Sequence, residues 1–213
     1  MDYDELYAEV KDIFGADPES TLEPFVDRLN PGSTVLDIGA GQGRNTRLLA
    51  ERGLTVHALE PSGVAAAMLK GLAEKRQLKL EVFATTFERF EPPVESYAGI
   101  LVFGLIPDLE WAAIHRLLEK IDLWSEAGTI LWITGFTTRD PSYASQKAGW
   151  STVGPNSYRS PEGRMRTYLE PKQILELFER YSALHHWEGL GPEHRHGDSP
   201  PERHSMFEVV LLR

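Results

Sequence analysis

The sequence contains no cysteine. This absence excludes disulfide bonds, zinc sites built from thiolates and a cysteine nucleophile. The sequence also lacks any apolar run close to the ~20 residues that a membrane-spanning helix needs. Residues 1–5 are acidic and carry no apolar core of the kind that a secretory signal has. We therefore expect a cytoplasmic protein with no membrane partner.

Basic residues are also in short supply. The chain has 22 Lys and Arg against 32 Asp and Glu, which gives a formal net charge of −10. Because nucleic-acid binding depends on Lys and Arg that neutralise phosphates, we expect no nucleic-acid partner and a small-molecule substrate instead. A length of 213 residues, without internal repeats, predicts a single domain over residues 1–213.

Glycine is concentrated in one stretch, residues 35–44, which read Val-Leu-Asp-Ile-Gly-Ala-Gly-Gln-Gly-Arg. The apolar start is typical of a buried strand, and a helical pattern follows over residues 44–51. Glycine has no Cβ, so it can take a positive φ and let a ligand approach the main chain. The N-terminus of the following helix favours an acidic or polar ligand. The pattern therefore predicts a binding turn that includes Gly39, Ala40 and Gly41.

The spacing of the motif distinguishes two classes of ligand. A dinucleotide fingerprint, Gly-x-Gly-x-x-Gly, would need glycine at position 44, where the chain has arginine. The spacing found is Asp37-x-Gly39-x-Gly41-x-Gly43, which resembles the first motif of class I S-adenosylmethionine-dependent methyltransferases. The next strand ends at Glu60, where a carboxylate can accept hydrogen bonds from ribose hydroxyls. These features indicate an adenosine-containing ligand, with a tight turn that binds nothing as the alternative.

Strands and helices alternate five times over residues 32–134, which predicts a parallel, doubly wound α/β sheet with right-handed crossovers. The predicted strands cover residues 35–38, 55–59, 80–84, 99–103 and 128–133. Two more strands, 182–188 and 206–212, would add a C-terminal antiparallel hairpin. The expected fold is therefore the seven-stranded Rossmann-like sheet of the methyltransferases that the glycine motif resembles.

The resemblance to class I methyltransferases implies S-adenosyl-L-methionine as the cofactor and S-adenosyl-L-homocysteine as its product. It also implies that Thr86 and Phe87, in the loop after the third strand, lie beside the adenine. The main chain of Phe103 and Gly104 would meet the methionine amino group. For the loop after the third strand, an ordinary connection with Phe87 in the core is the alternative.

Two details resemble the tellurite-resistance-type branch of small-molecule methyltransferases. One is the run Gly-Arg-Asn at residues 43–45, which leads directly into a helix and implies a cofactor role for Asn45. The other is a His-Arg pair with a further Arg in the last hairpin, here His194, Arg195 and Arg203. In that branch these groups are taken to hold an oxyanion or a similarly small substrate. The resemblance therefore implies that these three residues face the methyl acceptor.

The histidine-rich loop, which holds His194, His196, Asp198 and His204, leaves three interpretations open: substrate contact, stabilisation of the loop, and metal binding. Neighbouring arginines disfavour metal capture, and we predict no metal site.

Two segments outside the predicted sheet are expected to cover the site. Residues 1–30 are predicted to form a helical lid, with one helix at 4–14 and another at 20–29 opened by the capping box Ser20-x-x-Glu23. Residues 135–168 are rich in turn residues, arginine and aromatic residues, which favours a substrate cover. Simple helix packing and a variable surface loop are the alternatives. Pro171 is expected at the first position of the next helix.

Three classes of function are compatible with these features. The preferred one is an enzyme, a S-adenosylmethionine-dependent methyltransferase acting on a small-molecule acceptor. An NAD(P)-dependent oxidoreductase is disfavoured by Asp37 and by the arginine at position 44. A regulatory protein that binds the cofactor without catalysis would keep the same binding turn. The sequence does not distinguish a monomer from a homodimer.

Overall fold

The computed structural model describes residues 3–10, 12–193 and 201–213. Its main sheet has the expected seven strands, in the order β3-β2-β1-β4-β5-β10-β9. These strands are β1 (Thr34–Ile38), β2 (Thr55–Leu59), β3 (Leu80–Phe83), β4 (Tyr97–Val102), β5 (Ser125–Phe136), β9 (Ser182–Leu190) and β10 (Ser205–Leu212). Strands β1 to β5 pair in parallel, whereas β10 is antiparallel to both β5 and β9. The predicted C-terminal hairpin is thus confirmed.

The strand register fixes the edge of the sheet where a ligand can bind. Ile38 pairs with Leu59 at the ends of β1 and β2. On the far side, Met206 at the start of β10 pairs with Phe136 at the end of β5. The carboxyl ends of the parallel strands and the N-terminal end of β10 therefore share one edge, which is where open α/β sheets bind ligands.

The helices connect the strands and cover both faces of the sheet. They are α1 (Tyr3–Glu9), α2 (Glu23–Val26), α3 (Arg44–Glu51), α4 (Gly63–Arg76), α5 (Trp111–Trp124), α6 (Tyr143–Gly149) and α7 (Gln173–Leu177). Helix α4 begins at a serine cap, where the Ser62 hydroxyl accepts a hydrogen bond from the Ala65 N–H at 3.1 Å. None of the helices in the described residues is long and apolar enough to cross a bilayer.

The two faces of the sheet bury separate hydrophobic clusters. One cluster packs α5 and α7 against Ile100, Leu131 and Phe207. The other packs α3 and the segment before β1 against Trp132 and Val210. The side chains of β5 and β10 alternate between the two clusters, as expected for strands covered on both faces.

The N-terminal segment differs from its prediction. Helix α1 ends at Glu9 and does not extend to residue 14. The cause lies in Gln42, whose side-chain amide donates to the Val10 carbonyl and accepts from the Ile13 N–H, both at 2.9 Å. These main-chain groups are therefore bonded to the glycine turn and do not continue a helix.

The predicted capping box at residues 20–23 is also wrong. Helix α2 is a single turn preceded by Leu22, with no side-chain cap. The carbonyl of Thr21 instead accepts the indole N–H of the buried Trp132 at 3.2 Å. Residues 1–30 are thus only partly helical within the part that the structure describes, with Pro24 at the start of α2.

Residues 135–168 contain more regular structure than their composition predicts. They hold α6 and a separate antiparallel sheet of β6 (Ser151–Gly154), β7 (Ser157–Arg159) and β8 (Met165–Thr167). The expectation for Pro171 is wrong, because α7 begins at Gln173. Lys172, with φ of 66°, precedes this helix in a left-handed conformation.

Candidate active site

The glycine turn after β1 takes the backbone conformation that its sequence requires. Gly39, Gly41 and Gly43 have φ values of 78°, 54° and 86°, in the left-handed region that favours glycine. The N–H groups of Gly39 and Ala40 donate to the Leu59 carbonyl at 2.9 and 3.0 Å, which joins the turn to the tip of β2. The turn is therefore held in a fixed shape before α3 begins.

Glu60 is the side chain that fixes the turn from the other strand. One carboxylate oxygen accepts the Gly41 N–H at 2.7 Å, and the other accepts the Ser62 N–H at 2.8 Å. Glu60 is buried, and this burial raises its pKa while the two N–H donors oppose the increase. Each carboxylate oxygen has a second lone pair, so ribose hydroxyls can still donate to it.

Asp37, on β1, is the second acidic side chain that supports the glycine turn. Its carboxylate accepts the Thr46 hydroxyl at 2.6 Å and thereby connects β1 to α3. Asp37 is 2% exposed, and burial raises its pKa to about 6, against the opposing effect of the Thr46 hydrogen bond. Its role in the structure is to hold the N-terminal end of α3 against the strand.

The remaining predicted cofactor residues lie in different environments. The Asn45 side-chain oxygen accepts a hydrogen bond from the Glu19 N–H at 2.8 Å, so Asn45 anchors the N-terminal segment. The Phe87 ring is 4% exposed and belongs to the core, whereas Thr86 is exposed. Gly104, with φ of 66°, lies beyond the tip of β4, and its N–H donates to the Thr134 hydroxyl.

Helix α1 lies over the glycine turn. A Cβ atom placed on Gly41 would be 3.1 Å from the Tyr7 hydroxyl oxygen. Tyr7 is buried, and its pKa is raised by burial and by the nearby carboxylates of Glu60 and Asp108. Asp4 accepts the Ser62 hydroxyl, and Tyr3 donates to Asp108 at 2.6 Å. These contacts fix α1 across the carboxyl edge of the sheet, where the lid was predicted.

Asp108 also contacts residues 135–168, the segment predicted to cover the substrate. Its other carboxylate oxygen accepts the Arg166 guanidinium at 2.5 Å. The Thr167 hydroxyl donates to the Leu109 carbonyl, and the Trp111 indole donates to the Pro155 carbonyl, both at 2.5 Å. Residues 135–168 therefore pack on the connection after β4. The Asp108 carboxylate binds both this segment and helix α1.

A histidine–aspartate pair lies at the carboxyl edge of the sheet. The sequence did not predict that these two residues pair. The His204 Nδ1 atom is 2.9 Å from an Asp140 carboxylate oxygen, which also accepts the Ser205 N–H. Burial raises the pKa of Asp140, but hydrogen bonds from His204 and Ser142 outweigh it and lower the pKa. An ionised Asp140 holds a proton on Nδ1 and fixes the ring tautomer.

The ring of His204 stacks on the ring of Phe136 with centroids 4.2 Å apart. The Arg166 guanidinium lies 5.2 Å from the centroid of the Phe136 ring. A chain of contacts thus connects Tyr7, through Tyr3, Asp108, Arg166 and Phe136, to His204. His204 was visible in the sequence as an extra histidine, but its partner lies 64 residues away.

Among the residues predicted to face the acceptor, Arg203 alone lies in the described part of the chain. It is exposed, and its Nε donates to the Gly191 carbonyl at 2.9 Å, which closes the base of the last hairpin. His194 and Arg195 lie outside the described residues. No group of three or more potential metal ligands occurs within residues 3–10, 12–193 and 201–213.

Comparison with known proteins agrees with this geometry. Residues 35–125 match the family model described as a methyltransferase domain. An uncharacterised methyltransferase of Geobacillus thermodenitrificans is 34% identical over 111 residues, which cover 51% of this chain and 47% of that protein. The chain spans about half the length of the curated relatives it matches.

Solved structures share the fold at low sequence identity. TehB from Haemophilus influenzae superimposes with a TM-score of 0.71 and 17% identity, covering 92% of this chain and 62% of TehB. The Burkholderia thailandensis 1,6-didemethyltoxoflavin-N1-methyltransferase, solved with 1,6-didemethyltoxoflavin and S-adenosylhomocysteine, gives a TM-score of 0.70 at 17% identity. It covers all of this chain and 85% of its own.

The family match thus places a sequence similar to a methyltransferase domain at residues 35–125, which contain the glycine turn and Glu60. The solved structures show that the chain shares the fold of S-adenosylmethionine-dependent methyltransferases, TehB among the similar structures.

Proposed function

We propose that this protein is a S-adenosylmethionine-dependent methyltransferase that acts on a small-molecule acceptor. The observation that carries the proposal is the Glu60 carboxylate, which is bonded to the glycine turn at the carboxyl edge of the sheet. In that position it can receive ribose hydroxyls while the turn lies against the rest of the cofactor. The related Burkholderia enzyme, whose structure holds a small acceptor and S-adenosylhomocysteine, supports the class of substrate.

The chain's own task in methyl transfer is mainly to bind and align. When bound, the cofactor supplies a methyl group already activated by a positively charged sulfur. The acceptor must be held in line with the methyl–sulfur bond, at about 3–3.5 Å, with water excluded. The two covering segments that meet at Asp108 are placed to exclude water, because Tyr3 and Arg166 both close over that carboxylate.

His204 is the proposed base that receives the acceptor's proton. With Nδ1 protonated and bonded to Asp140, the ring's Nε2 atom, which lies 3.7 Å from a Glu202 carboxylate oxygen, carries the basic lone pair. An acceptor N–H or O–H that loses a proton to Nε2 becomes the nucleophile, and the resulting imidazolium is stabilised by the ionised Asp140. Phe136, stacked on the ring, keeps the imidazole plane fixed. Arg166 would attract an acceptor with negative charge.

The proposal is tested by a methyl-transfer assay with S-adenosylmethionine and a panel of oxyanions, thiols, halides, amines and hydroxyl compounds. We expect turnover with at least one class of small acceptor. In His204→Asn, kcat should fall by about 10²–10⁴-fold, the usual contribution of a positioned base. In Asp140→Asn, the pH profile of kcat/KM should change, since the ring tautomer is no longer fixed.

A fall of less than about threefold in kcat for His204→Asn would contradict the role of the base. Tight binding of S-adenosylhomocysteine without turnover on any acceptor would favour the non-catalytic regulatory alternative. The cytoplasmic location and the absence of a nucleic-acid partner stay predictions.

A further inference from the structure

A pocket lies on the sheet face next to α2. Its cavity volume is about 590 Å³, and its lining combines apolar and polar side chains. Phe25 and Pro24 come from α2, and Trp187, Leu190 and Glu208 come from the last two strands. Trp187 and Leu190 are large apolar side chains that remain exposed in the described structure. Such a pocket is of a size that binds small molecules.

The strand register places a carboxylate beside an aromatic ring in this pocket. Glu208 on β10 is directly paired with Trp187 on β9, so both side chains leave the same face of the sheet. A Cβ atom placed on Gly189 would be 2.7 Å from the Trp187 ring. The glycine therefore lets the indole lie along the strand, where it forms one wall of the pocket.

Glu208 is a partly buried carboxylate without a cationic partner. No hydrogen bond or ion pair joins its side chain to any residue in the described part of the chain. The nearby Glu19 is already paired with Arg44 and adds negative charge. Burial and Glu19 together raise the pKa of Glu208. A cation that entered the pocket would therefore relieve an unfavourable charge.

His185, another lining residue, has a similar shortage of partners. Its Nε2 atom is buried and has no hydrogen-bond partner among the described residues. Its ring lies 6.3 Å from that of Phe25, between centroids. The pocket thus holds an unpaired carboxylate and an unpaired ring nitrogen between aromatic walls.

We propose that this pocket binds an amphipathic organic ammonium ion, with the ammonium group between Glu208 and Trp187 and the apolar body against Phe25 and Leu190. Glu208 supplies the opposite charge and the indole face supplies cation–π attraction. This combination distinguishes a hydrophobic cation from an anion and from a neutral apolar molecule. The inference does not depend on the proposed methyl transfer.

The test is calorimetric titration of the full chain with phenethylammonium chloride, compared with the neutral analogue 2-phenylethanol. We expect saturable binding of the cation, and binding of the alcohol that is at least about tenfold weaker. Glu208→Gln should weaken cation binding by about tenfold or more and leave alcohol binding unchanged. Trp187→Ala should weaken both ligands, because it removes the wall as well as the cation–π contact.

Glu74→Gln is the matched control, because it removes the same charge from an exposed position on α4. Unchanged affinity for S-adenosylhomocysteine in Glu208→Gln confirms that the variant is folded. The proposal is overturned if cation and alcohol bind alike, if Glu208→Gln behaves like Glu74→Gln, or if the cation shows no saturable binding up to about 10 mM.

Discussion

Two acidic side chains of the proposed cofactor site each bind a part of the protein itself. Glu60 accepts two main-chain N–H groups from neighbouring turns, and Asp37 accepts the Thr46 hydroxyl. Both are buried, so each bond replaces water that the carboxylate has lost. Their positions could be predicted from the sequence because they follow directly from the strand ends. Their partners within the protein could not.

Asp37 is expected to make stability depend on pH. Its pKa of about 6 in the folded protein lies above its ordinary value of 3.8. A raised pKa means that ionisation disfavours the folded state, so the stabilising contribution is complete below about pH 4 and is lost as the pH rises through about 6. In Asp37→Asn this loss should disappear. The free energy of unfolding of the wild type, minus that of the variant, should therefore fall by about 1–3 kcal/mol between these pH values.

Urea denaturation of both proteins across this pH range gives the difference directly. Thr46→Val is the matched control, because it removes the hydrogen bond that lowers the pKa of Asp37. This variant should lose stability at a higher pH than the wild type. A pH-independent difference between wild type and Asp37→Asn would show that Asp37 does not titrate in this range.

At the scale of secondary-structure elements, the joint between the glycine turn and α3 combines a backbone constraint with a packing constraint. Gly43 and Gly53 have nearly the same φ, 86° and 84°, at the two ends of α3. A Cβ atom on Gly43 would collide with Leu69 of α4, whereas a Cβ on Gly53 would meet nothing within 4 Å. The two sites therefore separate the cost of the backbone conformation from the cost of crowding.

Gly53→Ala should lower the free energy of unfolding by about 1–2 kcal/mol, the cost of a left-handed conformation for an L-residue. Gly43→Ala should cost about 1–3 kcal/mol more because it also overpacks the contact with Leu69. Thermal unfolding of both variants measures the difference. In the Leu69→Ala background, the part of the destabilisation that comes from crowding should disappear for Gly43→Ala. The destabilisation by Gly53→Ala should not change in that background. Equal destabilisation by the two alanines would contradict the contact between α3 and α4.

Helix α1 is expected to control access to the cofactor site. Its Tyr7 hydroxyl lies close to Gly41, and Asp4 and Tyr3 tie the helix to Ser62 and Asp108. Because the helix lies over the turn, ligand entry and exit should both require its displacement. Removal of residues 1–10 should raise the association and the dissociation rate constants of S-adenosylhomocysteine, each by about tenfold.

Stopped-flow measurement with a fluorescent analogue of this ligand provides both rate constants. Tyr3→Phe, which loses only the bond to Asp108, should give a smaller increase in the same direction. An unchanged dissociation rate constant after the deletion would exclude α1 as a lid.

The predictions at the element scale succeeded where a local pattern determines the outcome. Helix α3 and strand β2 have the predicted positions, because their apolar patterns act over a few residues. The helix predicted over residues 4–14 is too long, since Gln42, about 30 residues away, captures Val10 and Ile13. Competition from a distant side chain leaves no mark on the helical periodicity of the segment itself.

At the scale of the whole molecule, the parallel pairing of the first five strands and the C-terminal hairpin could be predicted from the sequence, and the edge proposed for the cofactor follows from that sheet. The alternation of elements implies the parallel sheet, and the sheet implies that its carboxyl edge is the binding edge. The acceptor side could not be predicted. The His204–Asp140 pair and the Arg166–Asp108 pair join segments 64 and 58 residues apart. Arg203, which is predicted to face the acceptor, donates its Nε–H to the Gly191 carbonyl, a partner that the sequence does not indicate.

The most direct test of the central claim is calorimetric titration of the protein with S-adenosylhomocysteine, with NAD as the control ligand. We predict binding of S-adenosylhomocysteine and none of NAD. In Glu60→Gln the affinity should fall by about tenfold or more, because an amide group replaces one oxygen that accepts a main-chain N–H. Glu179→Gln, an exposed exchange in the turn after α7, should leave it unchanged. Binding of NAD in preference to S-adenosylhomocysteine, or an affinity for S-adenosylhomocysteine within about threefold of wild type in Glu60→Gln, would contradict the assignment of the cofactor site.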